Sequence, residues 1–191
     1  RNRIFSLTED GIRTEAHDPS KMVDPSLIIY HPVRQVGTEL VVTNGDQTDT
    51  VRDGLLAGEV FAQSLRKRCF EPDGPNWTPR ISVLLDFEDG FNYSMSILKS
   101  ADADGSACNR FTFDYAPIAG VGHFIHTYDH DGNPIPTFSG EPERIKTFDD
   151  MNEFAEVVWN NLNADNKISL FVRYVDLATG EAENKIYNKN I

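Results

Sequence analysis

The sequence predicts a layered α+β domain built mainly from antiparallel strands. Short apolar runs come in pairs separated by turn residues, and two longer stretches carry apolar residues at helical spacing. No internal repeat, low-complexity tract or linker interrupts the chain, so residues 1–191 are expected to form one domain, which is the usual size for one.

Residues 27–43 read as a β-hairpin, with Leu27, Ile28, Ile29 and Val33 before Gln35-Val36-Gly37 and Leu40-Val41-Val42 after it. The second strand runs into the loop Thr43-Asn44-Gly45-Asp46-Gln47-Thr48-Asp49-Thr50. A helix is predicted over residues 51–68, with Thr50 as N-cap, Asp53 following it, and Leu55, Leu56, Val60, Phe61 and Leu65 at helical spacing. Arg66, Lys67 and Arg68 suit its C-terminus through the macrodipole, and Pro72, Gly74, Pro75 and Pro79 then impose a loop.

A second hairpin pairs residues 80–87 with 91–98 around Glu88-Asp89-Gly90, placing Tyr93, Met95 and Ile97 on one face. Strands follow over residues 111–117 and 122–128, rich in aromatic and β-branched side chains, and the run from Asp129 to Asn133 ahead of Pro134 reads as a turn. A helix over residues 148–162, capped near Thr147 or Asp149, shows Met151, Phe154, Val157, Val158 and Leu162 on its apolar face. Residues 168–175 and 183–187 make the last hairpin.

The net charge of −12 opposes binding to a nucleic-acid backbone or an acidic membrane surface. Small anions need only a local cluster of arginines. No apolar run approaches the ~20 residues of a membrane-spanning helix, and no signal-peptide pattern opens the sequence, so a cytoplasmic protein is expected. Cys69 and Cys108 lack metal-ligand spacing and read as free thiols.

On chemistry alone, the loop from Thr43 to Thr50 is a strand-to-helix turn in which Gly45 takes a positive φ and Thr48, Asp49 or Thr50 caps the helix. The same geometry places hydrogen-bonding side chains at a helix N-terminus, where anions bind. Two readings therefore stand side by side: structural turn and anion site.

The segment Ile29-Tyr30-His31-Pro32-Val33-Arg34-Gln35-Val36-Gly37, followed by Leu40-Val41-Val42-Thr43-Asn44-Gly45 and Thr48-Asp49-Thr50, resembles the IMP cyclohydrolase family of archaeal type. Asn2-Arg3 and Thr78-Pro79-Arg80-Ile81 match as well, and the stretch from Gly120 through Thr127-Tyr128 to Pro142 matches more loosely. The family also carries a strand and a glycine-arginine segment ahead of the Asn-Arg pair, so such an element is expected upstream of Arg1.

The resemblance implies an NTN-hydrolase-like fold, a four-layer αββα sandwich with antiparallel sheets. It implies closure of 5-formamidoimidazole-4-carboxamide ribonucleotide to IMP, in which the carboxamide nitrogen attacks the formyl carbon and water leaves. Such a site must orient a poor nucleophile, remove its proton and stabilise charge on the formyl oxygen. An NTN amidohydrolase would instead need Cys, Ser or Thr at its mature N-terminus, a role Arg1 does not fill. A non-catalytic purine-nucleotide-binding relative is the other alternative.

Carried onto this chain, the resemblance implies Arg3, Tyr30 and Asn44 as catalytic residues and Arg80, Gly45, Thr48, Asp49, Tyr128 and Phe138 as substrate-binding ones. Tyr30 would relay a proton or bond the formyl oxygen. Its ordinary pKa near ~10 means that a neighbouring arginine must favour the phenolate if it acts as base. Its bland reading is a core or interface tyrosine with a satisfied hydroxyl. Arg80 suits a bidentate grip on the 5′-phosphate, against the plainer reading of a surface salt bridge. Arg34, on a hairpin, is weighted below it. Thr48 and Asp49 would meet ribose or phosphate near the helix start, against turn and cap. Phe138 would stack on the base, against simple loop anchoring.

The expected partner is a small-molecule purine nucleotide, with no nucleic acid and no membrane, and the reading allows a homo-oligomer. No metal and no cofactor is expected. Asp129-His130-Asp131-Gly132-Asn133 imitates the start of a calcium loop, but Gly140 stands where the bidentate glutamate belongs. His123 and His126 lie three apart in a predicted strand and so face opposite sides.

Overall fold

The computed structural model describes residues 2–22 and 29–191, which form two compact units. The first comprises residues 1–31 and 147–191, and the second residues 32–146. Leu27 and Ile28 of the predicted first strand lie outside the described residues. The architecture is α+β, and every strand pairing within the two units is antiparallel.

In the first unit, β1 (Ile4–Thr8) and β2 (Gly11–Glu15) form a tight hairpin with Phe5 opposite Thr14. β10 (Ser169–Val175) pairs with β11 (Ala182–Asn188). The Asn188 side chain imitates a neighbouring strand: the Phe5 amide donates to its Oδ1 at 2.8 Å and its Nδ2 donates to the Phe5 carbonyl at 3.0 Å. Helix α3 (Met151–Asn161) packs on β10, burying Ala155 completely. Its N-cap is Asp150, one residue past the predicted Asp149, because the Asp150 carboxylate is the one that accepts from the Glu153 amide, at 2.8 Å.

The second unit is a meander of β3 (Val33–Val36), β4 (Glu39–Thr43), β5 (Arg80–Asp86), β6 (Asn92–Ser100) and β7 (Cys108–Tyr115), each hydrogen-bonded to the next. Side chains alternate across it. One face carries Val41, Leu84 and Leu98 and is covered by α1 (Gln47–Leu56) and α2 (Phe61–Leu65), which contribute Val51, Phe61 and Leu65 to a shared core. The other face presents Leu40, Ile81, Val83, Tyr93, Met95 and Ile97, with Tyr93, Met95 and Ile97 all buried as the alternation predicts. A short pair, β8 (Val121–Phe124) with β9 (Glu143–Lys146), completes the unit.

The structure corrects the helix predicted over residues 51–68. It starts earlier, at Gln47 with Asp46 as N-cap, and it breaks in two. The break falls at Gly58, whose φ of +79° suits glycine and ends α1. The two pieces still pack closely: a Cβ at Gly54 would sit 1.9 Å from the Ser64 hydroxyl oxygen, so only glycine admits the α1–α2 contact. Arg66, Lys67 and Arg68 lie beyond α2 rather than in its last turn. Lys67 pairs with Glu59 at 2.7 Å and Arg68 reaches Asp46, so specific carboxylates and not the helix dipole hold those two side chains. Ile29 is exposed and precedes the strand that it was expected to join, and the last predicted strand before the turn ends at Phe124 rather than Tyr128.

Candidate active site

The loop after β4 is held by its own side chains. Asn44 Nδ2 donates to the Pro79 carbonyl at 2.9 Å, and Asn44 Oδ1 accepts from the Ile81 amide at 3.0 Å. The side chain thus extends the β4–β5 ladder by one step past Thr43. Gln47, fully buried, donates through Nε2 to Asn44 Oδ1 at 2.9 Å and to the Ile81 carbonyl at 3.1 Å. Thr48, also fully buried, donates to the Gly45 carbonyl at 3.1 Å and shares a 2.6 Å hydrogen bond with the Thr43 hydroxyl. Gly45 does not take the positive φ expected of it. Its requirement for glycine is one of space, since a Cβ there would lie 2.6 Å from Gln47 Oε1 and 2.9 Å from Arg80 Nη1.

Arg80 opens β5 on the helix-covered face with a side chain only 7% exposed, and it meets carboxylates that remain partly exposed. Nη1 donates to Asp46 Oδ1 at 2.6 Å and to Gln47 Oε1 at 2.7 Å, and Nη2 donates to Glu71 Oε2 at 2.9 Å. Its buried Nε has no hydrogen-bond partner among the described residues. Asp46, although it is the N-cap, makes no side-chain cap bond. Its carboxylate turns to the arginines instead, taking a second donor from Arg68 Nη2. Arg68 also reaches the Thr50 hydroxyl at 3.4 Å, and Arg34 pairs with Asp49 at 3.0 Å. The first turn of α1 is therefore ringed by Arg34, Arg68 and Arg80, each facing an acidic side chain of the protein itself.

The two carboxylates on Arg80 titrate in opposite directions. Partial burial pushes Asp46 up, but hydrogen bonds and charge from Arg68 and Arg80 outweigh it and hold the group below its ordinary value. For Glu71 burial wins over the attraction of Arg80, assisted by repulsion from Asp46 and Asp73, and the group is raised. The asymmetry has a simple cause: Asp46 takes donors from both arginines, and Glu71 takes its hydrogen bond from Arg80 alone.

Tyr128 and Phe138 occupy the second unit but not the loop. The Tyr128 hydroxyl hydrogen-bonds Thr78, whose backbone amide donates to Asp73 at 2.7 Å, so Tyr128 braces the segment just before Arg80. Phe138 is 4% exposed, with its ring centroid 4.2 Å from that of His126. His123 stacks on Tyr115 at 3.7 Å between centroids and meets the Tyr93 hydroxyl at 2.7 Å. The two histidines belong to separate aromatic contacts, and among the described residues no group of three His, Cys, Asp or Glu side chains is placed to hold a metal ion.

Arg3 and Tyr30 lie in the first unit, and the β1–β2 hairpin links them. Asn2 fixes the entry to β1 by exchanging two 2.7 Å hydrogen bonds with the Asp18 backbone, and Arg3 follows it directly. On β2, Thr14 brackets Tyr30: its amide donates to the Tyr30 carbonyl at 2.9 Å and its hydroxyl accepts from the Tyr30 amide at 3.0 Å. Thr14 is the register partner of Phe5, two residues beyond Arg3. Both side chains are half-buried.

Sequence reasoning passed over Asp46, Gln47, Arg68 and Glu71. The signal for Gln47 was an amide side chain three residues after another, Asn44, at a strand end. Nothing local marks Glu71, which reaches Arg80 through a proline-rich loop.

The fold defines an antiparallel α+β protein with three arginines around the start of α1. A family model described as IMP cyclohydrolase-like protein matches residues 1–181, and the chain belongs to that family. Among curated proteins, the IMP cyclohydrolase of Methanococcus maripaludis (strain C7) is 26% identical over 164 residues, covering 70% of this chain and 78% of the relative. That of Methanopyrus kandleri is 34% identical over 91 residues, 46% of each chain. That of Methanococcus aeolicus is 31% identical over 90 residues, 45% of this chain and 44% of the relative. Among the described residues no helix is long and apolar enough to cross a membrane.

Proposed function

We propose that this chain is an IMP cyclohydrolase that closes 5-formamidoimidazole-4-carboxamide ribonucleotide to IMP with loss of water. The observation that carries the reading is the family match over residues 1–181, joined by relatives that all bear the name IMP cyclohydrolase. The chain acts as one IMP cyclohydrolase-like domain of the NTN-hydrolase-like αββα type. An antiparallel sheet with helices on one face and an apolar opposite face supports that fold, because it is what a central layer of such a sandwich requires.

Tyr30 and Arg3 serve the reacting atoms: the phenol moves the carboxamide proton or bonds the formyl oxygen, and the guanidinium stabilises negative charge on either. Arg80 grips the 5′-phosphate. Asp46, half-exposed, sits on Arg68 and Arg80 as a resident anion, and the phosphate displaces it. Asn44 serves the reaction, and Gly45 and Thr48 border the substrate, on a loop that their own hydrogen bonds hold in shape. Tyr128 steadies the approach to Arg80. The ring closure proposed here uses no redox cofactor and no metal, and the enzyme works in the cytoplasm.

The test is the absorbance change on mixing purified protein with the formamido ribonucleotide in chelator-treated buffer. Acceleration over the uncatalysed closure is expected, and its absence rules out the enzyme. The commitment of Asn44 and Thr48 to internal bonds favours a second reading, a nucleotide-binding relative without turnover. Thermal stabilisation by IMP with no ring closure would establish that one.

A further inference from the structure

The function leaves Cys69 and Cys108 unused, yet the fold brings them together from separate parts of the second unit. Cys69 is exposed in the segment after α2, and Cys108 opens β7, partly buried against the core shared with the helices. The Arg110 guanidinium spans both. Nη2 donates to Cys69 Sγ at 3.4 Å and to the Arg68 carbonyl at 2.8 Å, and Nη1 donates to the Cys108 carbonyl at 3.1 Å. Cys108 and Arg110, two apart on β7, project from the same face of the strand, so the Cys108 side chain shares one neighbourhood with the Cys69 sulfur that Arg110 holds.

We propose that Cys69 and Cys108 form a reversible redox pair, oxidised by a hydroperoxide to an intramolecular disulfide. Cys69, the exposed sulfur, attacks the peroxide: an S–O bond forms, the O–O bond breaks, and water or an alcohol leaves. Cys108 then attacks the sulfenyl sulfur, forming the S–S bond and releasing a second water with its own proton. The pair loses two electrons and the peroxide gains them. Burial pushes the Cys108 thiol up in pKa against the pull of Arg110, which disfavours its thiolate and a first attack on the peroxide by Cys108. The bond ties the residue next to Arg68 to the edge of the sheet. It therefore acts on the guanidinium that holds Asp46, and a dithiol reverses it.

The test treats the full native chain with a small excess of hydrogen peroxide, alkylates it with N-ethylmaleimide and weighs it. The expected product is lighter by two hydrogens, takes up no maleimide, yields a crosslinked Cys69–Cys108 peptide, and regains both thiols with dithiothreitol. Two maleimides after peroxide, or sulfinic and sulfonic products without a crosslink, would overturn the proposal. In Cys108→Ser, Cys69 should accumulate as a sulfenic acid trapped by dimedone, and no adduct would show that Cys69 is not the first to react. Arg110→Gln should slow crosslinking several-fold and Arg110→Lys should restore part of the rate. An unchanged rate would overturn the part given to Arg110.

Discussion

Arg80 Nη1 donates a 2.7 Å hydrogen bond to Gln47 Oε1 between two side chains that are both buried. Through it the ion pairs of β5 and the amide network of the loop become one structure. Gln47 spends its oxygen on the guanidinium and its nitrogen on Asn44 and Ile81.

Gln47→Leu should therefore be costly, although leucine is similar in size. It strips an acceptor from a buried cation and donors from two partly buried oxygens, at about 1–3 kcal/mol for each group left without a partner. Because Arg80 keeps Asp46 and the Ile81 carbonyl keeps the Asn44 amide, the expected loss is about 2–3 kcal/mol. Urea unfolding should show a lower midpoint with an unchanged slope.

Glycine is required at two loop positions for different reasons, and alanine substitution separates them. At Gly45 an added Cβ collides with Gln47 and Arg80 side chains that cannot move freely, so Gly45→Ala should cost about 1–3 kcal/mol through overpacking. Gly37, at φ +58° with nothing within 4 Å of a new Cβ, meets only backbone strain, so Gly37→Ala should cost about 1 kcal/mol. Gly37→Asn should recover part of that loss and Gly45→Asn none, as read by thermal unfolding.

Asp46 and Glu71 predict a stability profile with two limbs of opposite sign. The native pKa of Asp46 lies below its ordinary 3.8, so its stabilisation is complete above that value and is lost as pH falls through the native one. The native pKa of Glu71 lies above its ordinary 4.5, so its contribution is complete below that value and is lost as pH rises through the native one. Asp46→Asn should flatten the acid limb and Glu71→Gln the higher one in urea unfolding followed against pH. A profile that neither variant changes would contradict both assignments.

Kinetics distinguish the roles proposed for Tyr30 and Arg80. Tyr30→Phe should lower kcat by about 10²-fold or more, the usual scale for a lost proton-transfer group, with little change in KM. Arg80→Ala should chiefly raise KM, and it should also lower stability because Asp46 and Glu71 lose their shared cation. The reverse pattern would exchange the two roles.

What the sequence revealed follows the strength of local signals. The β5–β6 hairpin was legible because a Glu88-Asp89-Gly90 turn separates runs whose alternate residues are apolar. The β1–β2 hairpin was not, since Ile4–Thr8 and Gly11–Glu15 mix Ser, Arg, Thr and Glu among few apolar residues. The spacing of Leu55, Leu56, Val60 and Phe61 ran through Gly58 and hid the break between α1 and α2, because Val51 and Leu55 of one piece and Phe61 and Leu65 of the other pack in the same core while Leu56 and Val60 stay exposed. Arg80 was visible as a site residue, but its environment was not. Its carboxylates come from Asp46 and Glu71 on either side of α1 and α2, and only tertiary structure unites them.

The side-chain amide that Asn44 inserts between Pro79 and Ile81 gives the connection after β4 the mechanics of a strand. A segment so fastened behaves as a fixed jaw, and the Asp46 carboxylate is the part with room to swing. Ligand capture here would then proceed by exchange of one anion for another on a stationary frame, so the rate of entry would follow how quickly Asp46 lets go of its arginines.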